Sequence, residues 1–325
     1  MPELNIVEAI NLALHQEMEK DEKTVVLGED VGREGGVFRV TVGLQRKFGE
    51  ARVIDTPLSE SGIMGTSIGM AVNGLRPIAE IQFDGFVHPA FDQLISHAAR
   101  IRTRSRGRFT CPLVLRFPYG GGIRALEHHS DSWESFYIHT PGLKVVIPST
   151  PYDAKGLLIS SIRDPDPVVF MEPKRIYRAI RQEVPTDEYT IPLGKADVRM
   201  NGNDVTIICY GAMVREAEKA ADELKNERIS CEIIDLRTLF PFDTDAIINS
   251  VKKTGRAVIV QEAPRTCGMA AEISTIINER ALLSLEAPVE RVTGFDTVMP
   301  LYMLENHYMP DPFRIKLAVK KVMNF

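Results

Sequence analysis

Short apolar runs alternate with longer segments of helical spacing along nearly the whole chain, and that alternation leaves few folds open. In the first half, Thr24 to Gly28, Arg52 to Ile54, Pro77 to Phe83, Pro112 to Phe117 and Pro167 to Met171 read as strands. Between them, Ile6 to Met18, Ser59 to Asn73, Pro89 to Thr103 and a segment ending near Asp164 space their apolar residues as helices do. The last of these has a start signal, Thr150 as N-cap with Pro151 in the first turn. Strands separated by helices pair in parallel, and a parallel sheet must be covered on both faces. The second half repeats the pattern. Val205 to Cys209, Cys231 to Leu236, Ala257 to Gln261 and Val289 to Thr293 read as strands, and Met213 to Leu224, Thr244 to Lys252, Met269 to Glu279 and Arg314 to Val322 as helices. From Arg175 to Asn203 the pattern loosens, as a linker with short strands would. The expected fold is α/β with two doubly wound domains, 1–185 and 203–325, joined by a linker at 186–202.

A length of 325 residues agrees with two domains, and 44% hydrophobic content supplies ample core. The net charge of −5 argues against a general nucleic-acid binder. Arg100, Arg102, Arg104, Arg106 and Arg108 form a local basic run, read either as a solvated helix end or as a face for an acidic partner. Cys111, Cys209, Cys231 and Cys267 lack metal or redox spacing, which excludes a zinc ribbon or a cysteine-ligated cluster. Met1 to Asn5 has no charged start followed by an apolar stretch, and no apolar run approaches the ~20 residues of a membrane span. A cytoplasmic location is expected.

Two segments offer chemistry. In Asp55-Thr56-Pro57-Leu58-Ser59-Glu60, Pro57 stops a strand, Ser59 suits an N-cap and Glu60 opens a helix carrying Gly62, Gly65 and Gly69. Each glycine costs about 0.5–1 kcal/mol relative to alanine, a loss usually repaid by close approach to another backbone or a ligand. A carboxylate in such a seam can share a proton with a ring nitrogen. The plainer reading is an acidic first turn favoured by the helix dipole, with small residues serving packing. The second segment, Gly120-Gly121-Gly122, leads to Glu127-His128-His129-Ser130-Asp131. Asp131 and Glu134 have capping-box spacing, which places the histidines just before a helix, in an acid/base or anion-binding corner or else an ordinary surface loop. No Gly-x-Gly-x-x-Gly after a strand, Walker loop or Gly-x-Ser-x-Gly elbow is present. A cofactor enzyme without its own phosphate loop suggests half of a composite active site.

Leu27-Gly28-Glu29-Asp30-Val31, Thr56 to Glu60, Ala79-Glu80-Ile81-Gln82-Phe83, Pro141 to Pro148, Asp153 to Leu158, Asp235-Leu236-Arg237-Thr238 and Leu285-Glu286-Ala287-Pro288 occur in one order. In this the chain resembles, over nearly its full length, the β subunit of the thiamine-diphosphate-dependent, decarboxylating component of 2-oxo acid dehydrogenase complexes. The resemblance implies a pyrimidine-binding domain followed by a transketolase C-terminal-like domain. It implies an α2β2 heterotetramer active only with its α subunit, which holds the cofactor's diphosphate and magnesium. The Gly-Asp-Gly…Asn-Asn diphosphate motif is absent from this sequence. Further implied partners are the lipoyl and peripheral subunit-binding domains of the acyltransferase core, with no nucleic acid and no membrane.

By resemblance, Glu60 hydrogen-bonds the aminopyrimidine ring nitrogen of thiamine diphosphate and favours the tautomer that removes the thiazolium proton. Leu58, Gln82 and Phe86 line that ring. His129, which directly precedes Ser130-Asp131-Ser132, handles protons and engages the lipoyl group. A potassium ion is implied near Leu113, Val114, Ser161, Asp164 and Asp166. Ala79 to Gln93 and Tyr308-Met309-Pro310-Asp311 look closer to branched-chain enzymes, so branched-chain 2-oxo acids are the expected substrates. Pyruvate is the alternative, and a non-catalytic dimerisation and docking subunit is an alternative of another class.

Overall fold

The computed structural model describes every residue from Met1 to Phe325. The chain forms two compact units: Met1–Tyr119 with Phe136–Leu193, and Gly120–Ser135 with Gly194–Phe325. Residues 120–135 pack with the second unit and 186–193 with the first. The reason for the latter is local. Lys155 is buried, and its Nζ donates to the carbonyls of Pro185 at 2.5 Å and Asp187 at 2.7 Å. Tyr189 stacks on Tyr152 with ring centroids 4.5 Å apart.

In the first unit, β1 (Thr24–Gly28), β2 (Val53–Asp55), β3 (Arg76–Glu80), β4 (Val114–Tyr119), β5 (Lys144–Val146) and β6 (Val168–Pro173) run parallel in the order β5-β6-β4-β3-β1-β2. The strand β1 is buried at all five positions, as a strand covered on both faces must be. Helix α1 (Ile6–Lys20) starts with a reciprocal capping box. Asn5 Oδ1 accepts from Glu8 N at 3.0 Å, and Glu8 Oε2 accepts from Asn5 N at 2.8 Å. Next come α2 (Glu60–Val72) and α3 (His88–Ser96), then a short α4 (Glu134–Ile138), then α5 (Pro151–Arg163). Thr150 caps α5 by accepting from Asp153 N at 3.0 Å. The helix expected over Pro89 to Thr103 is interrupted: at His97 the backbone turns to φ −122°, ψ −68°, and only a four-residue helix at Ile101–Arg104 follows. Strand β5 lies outside the expected strands.

In the second unit, β7 (Asp197–Met200), β8 (Val205–Cys209), β9 (Cys231–Asp235), β10 (Ala257–Val260) and β11 (Glu290–Val292) take the order β11-β10-β8-β9-β7. All are parallel except β7, which closes the edge antiparallel to β9. Thus part of the expected linker is a strand of this sheet. The helices are α6 (Ala212–Lys225), α7 (Thr244–Thr254), α8 (Met269–Ala281), α9 (Glu305–Tyr308) and α10 (Pro312–Met323). No helix is long and apolar enough to cross a membrane.

Candidate active site

The first unit gathers its candidate residues at the carboxyl ends of its strands. From β1 the chain goes to the edge strand β2 and then returns to β3 on the other side of β1. Ligands bind such sheets outside the carboxyl ends where the direction reverses. Glu29 leaves β1, Leu58 and Glu60 follow β2, and Gln82 and Phe86 follow β3. Leu58 is 78% exposed, whereas Glu60, Gln82 and Phe86 are half-buried. Phe86 sits on a single 3-10 turn, Asp84–Val87, fixed by Tyr137 Oη donating to Asp84 Oδ1 at 2.7 Å. Its ring meets Phe83 edge-on at 5.6 Å. Asp55 secures the loop beyond β1 by accepting from Gly32 N at 2.5 Å and Arg33 N at 3.1 Å. Burial, then the like charge of Glu60, then Asp30, raise the Glu29 carboxyl above its ordinary range. Two carboxylates, one amide, an aromatic ring and an exposed aliphatic chain can meet a planar heteroaromatic ring.

Two expectations about the Glu60 helix change. Ser59 is the N-cap residue, but its side chain makes no capping bond, and the helix starts on the Ser59 carbonyl, which accepts from Ile63 N at 2.8 Å. Nor do the glycines serve packing within this chain. The buried face of α2 is Ile63, Met64, Ser67, Ile68 and Ala71, while Gly62 and Gly69 are exposed. A Cβ at Gly69 would meet nothing within 4 Å, and one at Gly65 only Gln93 Oε1 at 3.7 Å. The helix presents a strip almost without side chains next to Glu60.

Beneath this edge lies a buried ionic network that the sequence reading missed. Arg116 is 1% exposed; its Nε and Nη2 donate to Glu172 at 2.7 and 2.8 Å, and Nη1 donates to Glu80. Tyr177 Oη completes it by donating to Glu172 at 2.5 Å. Burial raises the Glu80 carboxyl against the pull of Arg116, and the charge on Glu172 adds to the rise.

The histidines lie in the second unit. His128 and His129 form the end of a 3-10 turn, Glu127–His129; His128 is exposed and His129 half-buried. His128 Nδ1 stands 3.6 Å from Asp131 Oδ2. The expected capping box does not form. Helix α4 starts at Glu134 itself, which is fully buried, with Oε1 accepting from Tyr210 Oη at 2.6 Å. Burial pushes the Glu134 carboxyl up to about 7; bonds from Tyr210 and its own N–H oppose this, and Glu262 adds to it. Nor is the glycine run an open anion site. Gly121 N donates to Glu262 Oε1, Gly122 N to Glu305 Oε1 at 2.6 Å, and Arg124 N to Glu305 Oε2 at 2.9 Å. The chain's own carboxylates fill the cradle.

The residues expected around potassium, through carbonyls and an acid, lie together at the ends of β4 and α5, and both of their acids meet cationic side chains. Both oxygens of Asp164 accept from Lys144 Nζ, at 2.7 and 2.6 Å, and Asp166 Oδ1 accepts from Arg102 Nε at 2.6 Å. The Leu113 carbonyl accepts from Val168 N at 2.9 Å and that of Ser161 from Asp164 N at 3.3 Å. Val114 lies within β4, in register between Ile78 and Val168.

Comparison with known proteins decides the family. Residues 2–180 match the model of the transketolase pyrimidine-binding domain, and residues 194–315 that of the transketolase C-terminal domain. The pyruvate dehydrogenase E1 component subunit beta of Acholeplasma laidlawii is 58% identical over 319 residues, 98% of each chain. Those of Bacillus subtilis (strain 168) and Staphylococcus aureus are 55% and 53% identical over the full length of both chains. The chain belongs to this family, the β subunits of thiamine-diphosphate-dependent 2-oxo acid dehydrogenases. A solved structure described as a split-gene transketolase, an inactive β4 tetramer, is 21% identical, covers 99% of each chain and superposes with a TM-score of 0.82. That likeness shows the fold shared by the family. These relatives are named for pyruvate, so the branched-chain reading drawn from Ala79–Gln93 and Tyr308–Asp311 gives way to its alternative.

Sequence reasoning passed over Glu29, Tyr210, Glu262 and Glu305 as functional positions. For Glu29 and Glu262 a signal existed, since each directly or nearly follows a strand at a reversal of strand order. Glu305 carried none, because its partners are more than a hundred residues away.

Proposed function

We propose that this chain is the β subunit of a pyruvate dehydrogenase E1 component, working with an α subunit in an α2β2 assembly in the cytoplasm. The assembly decarboxylates pyruvate and hands the acetyl group to the lipoyl domain of an acyltransferase. The observation that carries this is end-to-end identity of 53–58% with proteins of that name. Thiamine diphosphate, when bound, supplies the electron sink for decarboxylation. Glu60 would share a proton with the ring nitrogen, the Gln82 amide would orient the amino group, and Phe86 and Leu58 would wall the ring. Nothing at this edge replaces the missing diphosphate motif, so the α subunit would hold the diphosphate and its magnesium. The bare face of α2 beside Glu60 supports this, because glycine allows a second backbone to come close. His129 would manage the proton exchanged when the lipoyl group accepts the acyl unit.

The test is reconstitution with the α subunit and comparison of kcat/KM for pyruvate and 3-methyl-2-oxobutanoate. A preference for pyruvate is expected; the reverse preference would restore the branched-chain reading. Calorimetry of this chain alone should show negligible thiamine diphosphate binding until the α subunit is added.

A further inference from the structure

The second unit fills its own ligand crevice with a piece of chain. Its strand order reverses around β8, between β9 and β10, the place where open α/β sheets take ligands. The exits of β8 and β10 carry Tyr210 and Glu262, and both are engaged by the segment Gly120–Ser135. Glu305 adds a two-point hold. It is 2% exposed, and each of its oxygens takes one backbone N–H, from Gly122 and from Arg124. The held backbone is left-handed at three positions: Gly120 and Gly122, with φ of 83° and 89°, adopt it freely, whereas Arg124, with φ of 59°, is not a glycine. A Cβ at Gly121 would come within 2.6 Å of Met299 Cε, and one at Gly120 within 2.6 Å of Glu262 Oε1. A left-handed residue other than glycine, such as Arg124, persists where its surroundings fix it.

We propose that Glu305, assisted by Glu262, is a positioning residue for acyl transfer: it clamps the glycine loop and thereby sets the place of His129. This rests on the role given to His129 above. The carboxylates act as a built-in ligand, so the loop is fixed by charge-assisted bonds from outside it and not by its own turn geometry. Glu305→Gln keeps the shape but replaces one acceptor by a donor facing a donor.

The experiment uses the reconstituted α2β2 protein. Hydrogen exchange of peptides covering residues 120–129 should be about tenfold faster in Glu305→Gln, the loss expected for one such bond. Decarboxylation with an artificial acceptor should stay within about twofold, while flux through the complete complex falls about tenfold and KM for the lipoyl domain rises. Equal losses in both assays, or faster exchange with undiminished flux, overturn the proposal. If the variant does not assemble, wild-type exchange decides: the amides of Gly121, Gly122 and Arg124 should be protected although the loop is largely exposed, and fast exchange there overturns the clamp. Loss of flux in His129→Ala but not in Glu305→Gln would sink the clamp alone. Unchanged flux in both would sink the reading of His129.

Discussion

Glu29 and Glu60 leave neighbouring parallel strands, and after burial itself the charge of Glu60 is the main cause that raises the Glu29 carboxyl. Two acidic groups at one reversal of strand order repel each other, a cost that a ligand or a shared proton can relieve. That pairing places Glu60 in a cluster of like charge at the edge where a ligand would bind.

Glu60→Gln should therefore assemble with the α subunit and lose catalysis. The amide keeps the size of the side chain but cannot share a proton with a ring nitrogen. Loss of a positioned acid/base group costs on the order of 10²–10⁴ in rate. Decarboxylation with an artificial acceptor measures it, and turnover close to wild type would refute the role.

The Arg116 network should be asymmetric under mutation. Arg116→Met would leave Glu172 buried without its cation, which destabilises by roughly 3–5 kcal/mol. Glu80→Gln should cost less than about 1 kcal/mol, because burial already favours the neutral form of Glu80 and the amide oxygen still accepts from Arg116. Thermal melts of the two variants side by side decide this; equal losses would mean that Glu80 is ionised in the fold.

Glu134 predicts a pH dependence. Its folded carboxyl titrates at about 7, against an ordinary 4.5. Between those values the folded chain holds more protons than the unfolded one, so stability falls as pH rises through that window and levels off above it. Shifts of this size correspond to something on the order of 3 kcal/mol. Glu134→Gln is neutral throughout and keeps an acceptor for Tyr210, so its melting temperature relative to wild type should climb from pH 5 to 7 and then plateau. A constant difference across that range would show that Glu134 is ionised in the fold.

Much of this molecule was readable from its residues because local physics and global fold agree. Strand Thr24–Gly28 is a continuous apolar run, as a doubly covered strand must be, and Thr150-Pro151 carries its cap and its first-turn proline in adjacent letters. The helix start at Glu60 was legible because proline, cap position and acid occur in one line. What escaped depends on contacts across sequence. Glu134 looks like the last letter of a capping box, yet its side chain turns to Tyr210, 76 residues away. The glycines of α2 read as a packing seam, and only the fold shows that they face outward. The glycine run read as an anion cradle gave no hint that Glu262 and Glu305 would fill it.

His129 should matter more for acyl transfer than for decarboxylation, and more than its neighbour. The two side chains are placed differently: His128 is exposed with its Nδ1 near Asp131, and His129 is half-buried on a loop clamped from the second unit's core. A clamped, partly shielded imidazole fits a proton-transfer role, whereas an exposed one beside a carboxylate fits a surface contact worth at most about 1 kcal/mol. His129→Ala should lose most flux through the complete complex, by about 10²-fold or more, while keeping measurable artificial-acceptor activity. His128→Ala should stay within about threefold of wild type in both assays. Equal damage from the two substitutions would make the corner structural, and greater damage from His128→Ala would transfer the role to the other histidine.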